Sequence, residues 1–283
     1  MDAIDIALEG LIDYAGLYPP AGLDMPAAVG NYLAYARQKH APALGRFIVD
    51  LSRLDALREA AGDDLGRMRL SVIAAPHSDL DRIVQHRDEG FRIESVEIKC
   101  DQPLTMARTC EHLPANMECY FEIPLQSGCS GAIDALASVG ARAKLRMGGV
   151  VAEAFPTAAQ VVDRLCLLAD RRVPFKATAG LHHPLRSRHS LTYAPESPTG
   201  TMHGFMNLLC AAALLHFGGE VHEAISMLEE EDPGAFRITP DYLSAHGHQW
   251  NAQELREVRQ FFTGFGSCSF TEPMRDLEAL GWL

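Results

Sequence analysis

The chain has 283 residues, of which 47% are hydrophobic and 22% are charged, an ordinary composition for a globular protein. Its formal net charge of −12, without a basic run, disfavours nucleic acid as a partner. The most apolar stretch, residues 206–217, is too short to span a bilayer, so no membrane association is expected.

The cysteine pattern predicts free thiols in a reducing compartment. The count is odd, the residues are scattered and no CxxC motif occurs. The first residues form neither a basic segment nor a long apolar run, so no secretory signal is predicted and the expected location is cytoplasmic. The seven positions are Cys100, Cys110, Cys119, Cys129, Cys166, Cys210 and Cys268.

Short β-rich runs alternate with amphipathic helices along the chain. Strands are predicted at 8–17, 44–51, 68–75, 92–100, 117–123, 141–147, 173–179 and 261–270. Helices are predicted at 25–38, 54–61, 78–87, 104–113, 131–139, 158–171 and 272–280. Regular alternation implies parallel strands joined by right-handed crossovers, and eight units favour a (β/α)8 TIM barrel. An open doubly wound sheet is the alternative, but the glycine-rich turn that usually follows its first strand is missing.

The unit between the seventh and eighth predicted strands is enlarged. Within a single barrel domain of residues 1–283, residues 184–260 are predicted as an insertion. A polar loop at 184–201 leaves the strand at its carboxyl end, and we expect it to be mobile or to cover the mouth of a pocket. Helices are predicted to follow at 203–217, 221–231 and 252–259.

The helix at 203–217 is apolar on nearly all sides over residues 206–217. A helix in the outer ring of a barrel needs only one apolar stripe. The excess must therefore be buried under the neighbouring helices or against a second subunit, which makes a homodimer one expected arrangement.

Two lysines occupy matching positions on the sixth and seventh predicted strands. Lys144 precedes the pair Gly148 and Gly149, and Lys176 precedes Gly180. Lysine is rarely buried without a partner or a chemical role, so two lysines in register favour an active site in a common cavity. Two salt-bridged or snorkelling lysines are the alternative.

Polar residues at the carboxyl ends of the strands are the other candidates, because barrel active sites lie there. Glu97 and Lys99 share a face of the fourth strand, and Lys99 could instead form an ion pair with Glu122. The catalytic candidates from four consecutive strands are Lys99, Glu122, Lys144 and Lys176. The substrate-binding candidates are Asp13, Asp50, Arg146, His182, His183, Ser267 and Ser269.

Paired lysines suit Schiff-base chemistry. A neutral lysine attacks a carbonyl, and a nearby second ammonium lowers its pKa from an ordinary value of about 10.4. Glu122 could move the proton. The predicted function is a lyase or aldolase-type enzyme that acts on a small anionic carbonyl substrate, an oxo-acid or a sugar phosphate.

These two strands resemble those of the class I, Schiff-base aldolases of the deoxyribose-phosphate aldolase type. That family carries one lysine on strand six before a glycine turn, and a second on strand seven in a Lys-Ala-x-Gly-Gly context. The similarity rests on residues 144–148 and 176–180. It implies Lys144 as the Schiff-base former and Lys176 as the neighbour that lowers its pKa. The chain departs from the family's Lys-Thr-Ser-Thr-Gly after Lys144, where Leu-Arg-Met follows, and from its glycine pair after strand seven, where Leu-His-His follows Gly180.

Histidines and glycine-rich turns support other interpretations. His77, His182 or His183 could bind a divalent metal with Glu122 or Asp50, although their spacing matches no strong metal motif, and neither a metal nor another cofactor is predicted. The turn at 264–269 could bind an anion or simply need glycine for its conformation. The alternatives are therefore a metal- or histidine-dependent barrel enzyme on a small anionic substrate, and a non-catalytic ligand-binding barrel.

Overall fold

The computed structural model describes residues 1–76, 80–125, 128 and 130–283, and within them eight parallel strands close into a barrel. Strands are numbered along the chain, and five short ones outside the barrel separate β7 from β13. The barrel consists of β1 (Ile12–Tyr14), β2 (Leu44–Asp50), β3 (Leu70–Ala74), β4 (Ile93–Lys99), β5 (Glu118–Ile123), β6 (Arg142–Arg146), β7 (Phe175–Thr178) and β13 (Phe262–Ser267). Sequence neighbours pair from β1 to β7, and β13 lies between β7 and β1. The predicted (β/α)8 barrel is confirmed.

Helices between the strands cover the outside of the barrel. The first seven are α1 (Ala3–Leu8), α2 (Met25–Tyr35), α3 (Leu54–Ala61), α4 (Asp81–Asp88), α5 (Pro103–His112), α6 (Ser130–Val139) and α7 (Ala158–Asp170). Part of the helix predicted at 78–87 falls outside the described residues. Alternation along β6 shows why the sheet packs as it does: Ala143 and Leu145 are fully buried, while Lys144 between them points into the barrel and reaches carboxylates of β4 and β5.

The first strand is shorter than the sequence suggests. Residues 8–17 were expected to be one strand, but β1 has three residues and Leu8 ends α1. Gly10 separates them with a φ of 57°, a conformation that suits glycine. The apolar residues of α1 pack against α10 (Ala252–Phe261), so a tertiary contact decides the conformation of this apolar run.

The segment between β7 and β13 is more varied than expected. It contains a hairpin of β8 (Ser187–Ser190) and β9 (Thr199–Met202), the helices α8 (Phe205–His216), α9 (Val221–Glu229) and α10, and an antiparallel sheet of β10 (Phe236–Ile238), β11 (Tyr242–Ala245) and β12 (His248–Asn251). The final helix, α11 (Thr271–Ala279), follows β13. The three helices lie where they were predicted, whereas the hairpin occupies the stretch expected to be a polar loop.

The antiparallel sheet of β10, β11 and β12 contains a tight turn between its last two strands. Ala245 pairs with His248, so His246 and Gly247 form a two-residue hairpin loop, and both have positive φ, 52° and 83°. A residue followed by glycine between alternating strands is typical of such tight hairpins. The strands have only three or four residues, which is too short for periodicity to reveal them.

Helix α8 is buried within the chain itself. Its residues from Phe205 to Leu214 are at most 4% exposed, and the helix packs against α7, α9, α10 and β13. Asn207 is fully buried there, with its amide nitrogen 2.8 Å from the carbonyl oxygens of Met227 and Glu230 and its oxygen accepting from the Arg186 N–H. These contacts join α8 to the end of α9 and to the start of the hairpin.

The described cysteines and helices match two features of the sequence. The six described cysteines are all free thiols, as predicted, and Cys129 lies outside the described residues. None of the described helices combines the length and the apolar character that crossing a membrane would require.

Candidate active site

A continuous chain of ion pairs crosses the barrel interior. Among the described residues, Lys176 Nζ lies 2.5 Å from Asp13 Oδ2 and 2.6 Å from Glu97 Oε1. Lys144 Nζ lies 2.8 Å from the other oxygen of Glu97 and 3.2 Å from Glu122 Oε2. The two lysines that are adjacent in the register of β6 and β7 therefore share one carboxylate.

Glu97 is the centre of this chain. It is 1% exposed and accepts a hydrogen bond from the Ser71 hydroxyl at 2.6 Å. Burial alone would raise the pKa of its carboxyl, but the charges of Lys144 and Lys176 outweigh burial and hold that pKa far below its ordinary value. Glu97 is therefore an anion. The sequence showed it beside Lys99 on β4, yet only the barrel interior reveals that it joins both lysines.

Lys176 is held as a cation. Burial would lower the pKa of its ammonium, but Asp13 and Glu97 raise it above the usual range. The amine also lies 5.4 Å from the centre of the Tyr120 ring, a position that favours a cation. With 1% of its surface exposed, Lys176 is poorly placed to meet a substrate.

Lys144 lies at the floor of a cavity of about 310 Å³ at the carboxyl ends of the strands. Volumes of this size suit a small ligand. The cavity is lined by residues from most barrel strands and from the β8–β9 hairpin, including Tyr18, Ile48, Ile73, Glu97, Lys144, Arg146, Thr178, His182, Leu191, Met202 and Cys268. Leu191 and Met202 bring the hairpin over this end of the barrel.

Arg146 stands between the cavity and Glu122. Its Nε lies 3.0 Å from Glu122 Oε1 and its terminal nitrogen lies 3.4 Å from Oε2, a forked pair. Burial would raise the pKa of Glu122, but Lys144 and Arg146 together lower it. Half of the Arg146 side chain is exposed, so its guanidinium can also reach a ligand in the cavity.

A histidine and a thiol face each other on the far wall. His182 Nδ1 lies 3.3 Å from Glu272 Oε2, 3.4 Å from the Ser267 hydroxyl and 4.0 Å from Cys268 Sγ. Burial lowers the pKa of His182, but Cys268 and Glu272 outweigh burial and raise it to about 9. Tyr193 of the hairpin reaches both partners, with its hydroxyl 3.6 Å from Cys268 Sγ. Cys268 was not among the predicted site residues, since a lone cysteine carries no sequence signal.

Several other predicted residues lie at the edges of this site. Lys99 is exposed at the end of β4, where it lines a separate cavity, and it pairs with none of the described carboxylates. The expected ion pair with Glu122 is therefore not formed, because Lys144 and Arg146 occupy that carboxylate. Asp50 accepts a hydrogen bond from the Tyr18 hydroxyl at 3.0 Å.

The remaining candidates make contacts outside the cavity. His183 Nδ1 lies 2.5 Å from Asp276 and its ring stacks on His189, so of the two adjacent histidines His182 is the one that lines the cavity. The hydroxyl of Ser269 accepts from the Glu272 N–H at the start of α11, and that of Ser267 donates to the Ser269 carbonyl. His77 lies outside the described residues. Among those described, no group of three or more His, Cys, Asp or Glu side chains is arranged to hold a metal ion.

The end of β7 explains one glycine of the sequence pattern. Ala179 and Gly180 both have positive φ, 58° and 69°, and both line the cavity. A Cβ on Gly180 would lie 2.7 Å from the Phe155 ring and 2.8 Å from the Gly148 Cα. Close packing of two strand ends, together with the backbone conformation, therefore requires glycine here.

The fold and the site define a (β/α)8-barrel protein with a charged pocket at the carboxyl ends of its strands. No family model matches the chain, and no curated protein matches it. Among solved structures, FabK from Thermotoga maritima and a point mutant of it match at 14% identity, with TM-scores of 0.36 and 0.39, over 64% of this chain. The matched parts span 54% and 57% of those chains, little more than half their length. Similarity at this level carries no argument about activity.

Proposed function

We propose that this protein is a lyase or aldolase-type enzyme that forms a Schiff base between Lys144 and a small anionic carbonyl compound. The observation that supports this proposal most directly is the position of Lys144. Its amine lies at the floor of a small cavity, 6% exposed, in contact with the two carboxylates Glu97 and Glu122. An oxo-acid or a sugar phosphate matches both the carbonyl chemistry and the cation at the rim.

Arg146 binds the anionic end of the substrate. Its half-exposed guanidinium offers a fork of donors that matches a carboxylate or a phosphate. When the substrate anion draws Arg146 away, Glu122 loses one of the two cations that lower its pKa. Its pKa then rises, and Glu122 can accept a proton from Lys144 across 3.2 Å. Substrate binding and activation of the nucleophile are thereby coupled.

The neutral amine of Lys144 attacks the carbonyl carbon, and loss of water from the adduct gives an iminium ion. The iminium accepts the electron pair of a carbon–carbon or carbon–hydrogen bond at the neighbouring carbon. Glu122 gives the proton that it took from Lys144 to the leaving hydroxyl group, and as a carboxylate it then removes the proton from the substrate at the neighbouring carbon or its hydroxyl group. Hydrolysis of the resulting imine frees Lys144. Lys176 acts through Glu97: because its ammonium shares that carboxylate, it weakens the hold of Glu97 on the Lys144 proton.

A second candidate function is supported by the other wall of the cavity. His182 and Cys268 face the cavity together, with Glu272 and Tyr193 behind them. In this alternative, His182 performs acid–base chemistry on the anionic substrate, while Lys144 and Arg146 only bind it. A non-catalytic ligand-binding barrel would use the same charged pocket without turnover.

Borohydride trapping tests the Schiff base. The protein is incubated with a panel of small 2-oxo acids and aldehyde phosphates, reduced, and mapped by mass spectrometry. We expect a covalent adduct on Lys144 in the wild type. The control variant Lys99→Met, which changes an exposed lysine, should form the same adduct, and Lys144→Met should form none at this position. Circular dichroism checks that Lys144→Met is folded.

The panel also separates the alternatives. Absence of an adduct on Lys144 across the whole panel contradicts the Schiff-base proposal. If turnover then persists in Lys144→Met and is lost in His182→Gln, the histidine mechanism replaces it. Ligand binding without any turnover points to the non-catalytic barrel.

A further inference from the structure

A second, larger cavity opens at the opposite end of the barrel. Its volume is about 1070 Å³, and it lies at the amino-terminal ends of the strands, where Leu44, Glu118 and Arg142 begin β2, β5 and β6. Asp13 and Tyr120 lie among its lining residues. The lysine pocket at the carboxyl ends of the strands is a separate space with a different lining.

Arginine dominates this cavity. The chain has 25 lysines and arginines against 37 aspartates and glutamates, so a random patch of its surface should be acidic. Six arginines of the described chain nevertheless line this one space: Arg46, Arg67, Arg69, Arg142, Arg256 and Arg259. The carboxylates in the lining are Glu9, Asp13 and Glu118, and Asp13 is already paired with Lys176.

On one side of the cavity, the arginines outnumber the carboxylates with which they form ion pairs. Arg46 contacts Glu94 at 3.1 Å and Glu118 at 2.8 Å, Arg69 contacts the same Glu94 at 3.1 Å, and Arg142 contacts the same Glu118 at 2.9 Å. Arg92 also contacts Glu94, at 3.0 Å, so four arginines share these two glutamates. Arg67, the other lining arginine outside α10, pairs with Asp64 at 2.6 Å. The arginines here therefore outnumber the carboxylates that they contact.

On the opposite wall, the arginines form no ion pair with a carboxylate of the described residues. Arg256 and Arg259 lie one turn apart on α10, and neither forms an ion pair with a described carboxylate. The guanidinium of Arg259 donates to the main-chain carbonyls of Glu9, Phe262 and Thr263, and its Nε is buried without a hydrogen-bond partner. Glu9 and Asp13 lie close enough to favour its charge, but neither carboxylate forms an ion pair with it, and a bound anion would offset the cost of its buried, unpartnered Nε.

We propose that this cavity binds a small, multiply charged anion that carries phosphate or carboxylate groups. Arginine forks match both groups in two-point contacts, and the volume suits a metabolite-sized ligand. Arg256 and Arg259 hold the anion from α10, while Arg46, Arg69 and Arg142 face it from the barrel. The site is independent of the function proposed for Lys144.

Calorimetric titration of the intact protein at low ionic strength tests this site, with inorganic pyrophosphate and citrate as parallel probes. We expect saturable binding of at least one probe, about tenfold weaker in Arg256→Gln and in Arg259→Gln, the loss expected for one charge-assisted contact. Arg108→Gln changes an exposed arginine on α5 that does not line the cavity; it is the matched control and should bind as the wild type does. Arg146→Gln identifies any binding of the probes in the lysine pocket instead, because Arg146 is the half-exposed cation of that pocket.

The two probes and the variants separate the outcomes. A preference for pyrophosphate or for citrate identifies the anion as phosphate or polycarboxylate. If Arg259→Gln does not fold, because its main-chain contacts are lost, the exposed Arg256→Gln decides. No saturable binding of either probe, or binding that Arg146→Gln abolishes while Arg256→Gln leaves it intact, overturns the proposal and makes the arginines a structural network.

Discussion

At the scale of single residues, the barrel interior is organised by charge rather than by apolar packing alone. Glu97 contacts two ammonium groups, and each ammonium group contacts a second carboxylate. Burying one unpaired charge costs several kcal/mol, so each member of such a chain depends on its neighbours. This series of ion pairs therefore limits which substitutions the site can accept.

Removing Lys176 should expose this dependence. Lys176→Met leaves Asp13 and part of Glu97 as buried, unpaired carboxylates, so we expect the free energy of unfolding to fall by about 3–5 kcal/mol at pH 7. Urea denaturation monitored by circular dichroism measures it. Lys99→Met, at an exposed lysine without an ion pair, should change stability by no more than about 0.5 kcal/mol. Equal stability of the two variants would show that the ion-pair chain is not a structural element.

Deprotonation of His182 should lower the stability of the folded protein as the pH rises. Its folded pKa is raised to about 9, whereas the unfolded value is about 6.5. A raised pKa stabilises the fold fully below the unfolded pKa, and this contribution is lost as pH rises through about 9. We expect the melting temperature to fall between these two pH values.

The variant His182→Gln should remove this part of the pH dependence, as measured by thermal unfolding over the same pH range. His222→Gln, at an exposed histidine on α9, should retain it. A flat profile in the wild type between about pH 6.5 and 9 would contradict the coupling of His182 to Cys268 and Glu272.

At the scale of elements, the strand ends that form the pocket are tightly packed against each other. Gly180 lies just beyond β7 in a left-handed conformation, and a Cβ on it would lie 2.8 Å from the Cα of Gly148, just beyond β6. Lys144 and Lys176 are paired in the register of β6 and β7, and the contact between the two glycines follows a few residues later in each segment. The absence of a side chain at Gly180 therefore allows the segments after the two lysine-bearing strands to approach each other closely.

A pair of glycine substitutions separates the packing cost from the backbone cost. Gly180→Ala adds a Cβ at 2.7 Å from Phe155 and 2.8 Å from Gly148, at a φ of 69°. Gly281→Ala has the same φ of 69°, but no described atom lies within 4 Å of the added Cβ. We expect a loss of about 1 kcal/mol for Gly281→Ala and a clearly larger one for Gly180→Ala.

Chemical denaturation of both variants measures this difference, and substrate binding by Gly180→Ala reports on the shape of the pocket. Equal losses in the two variants would mean that the two strand ends can separate without cost.

At the scale of the whole molecule, the chain buries its most apolar helix by itself. The apolar residues of α8 are covered by α7, α9, α10 and β13 within one chain. A second subunit is therefore not needed to cover α8, because the neighbouring helices of the same chain already bury it.

We accordingly expect light scattering at micromolar concentration to give the mass of one chain, 31.0 kDa. Large hydrophobic side chains that remain exposed, such as Leu104, Tyr193 and Phe217, lie far apart along the sequence. A species of twice the mass would show that another surface, not α8, forms an interface.

The sequence by itself determined the barrel. Strand and helix periodicity predicted all eight barrel strands, the alternation of Ala143, Lys144 and Leu145 indicated an inward-facing lysine, and glycine after β7 indicated a special backbone. These are local properties: side-chain alternation and backbone preference act over a few residues and are visible in one segment at a time.

Only the tertiary structure decided what surrounds those lysines. Glu97, Asp13 and Lys176 come from three strands that are distant in sequence, and barrel closure brings their charges together. The same closure places Cys268 beside His182, buries α8 in its own chain and gathers arginines from separate elements at the amino-terminal end. Pairing of charges across a barrel depends on distance in space, which the order of residues along one chain does not encode locally.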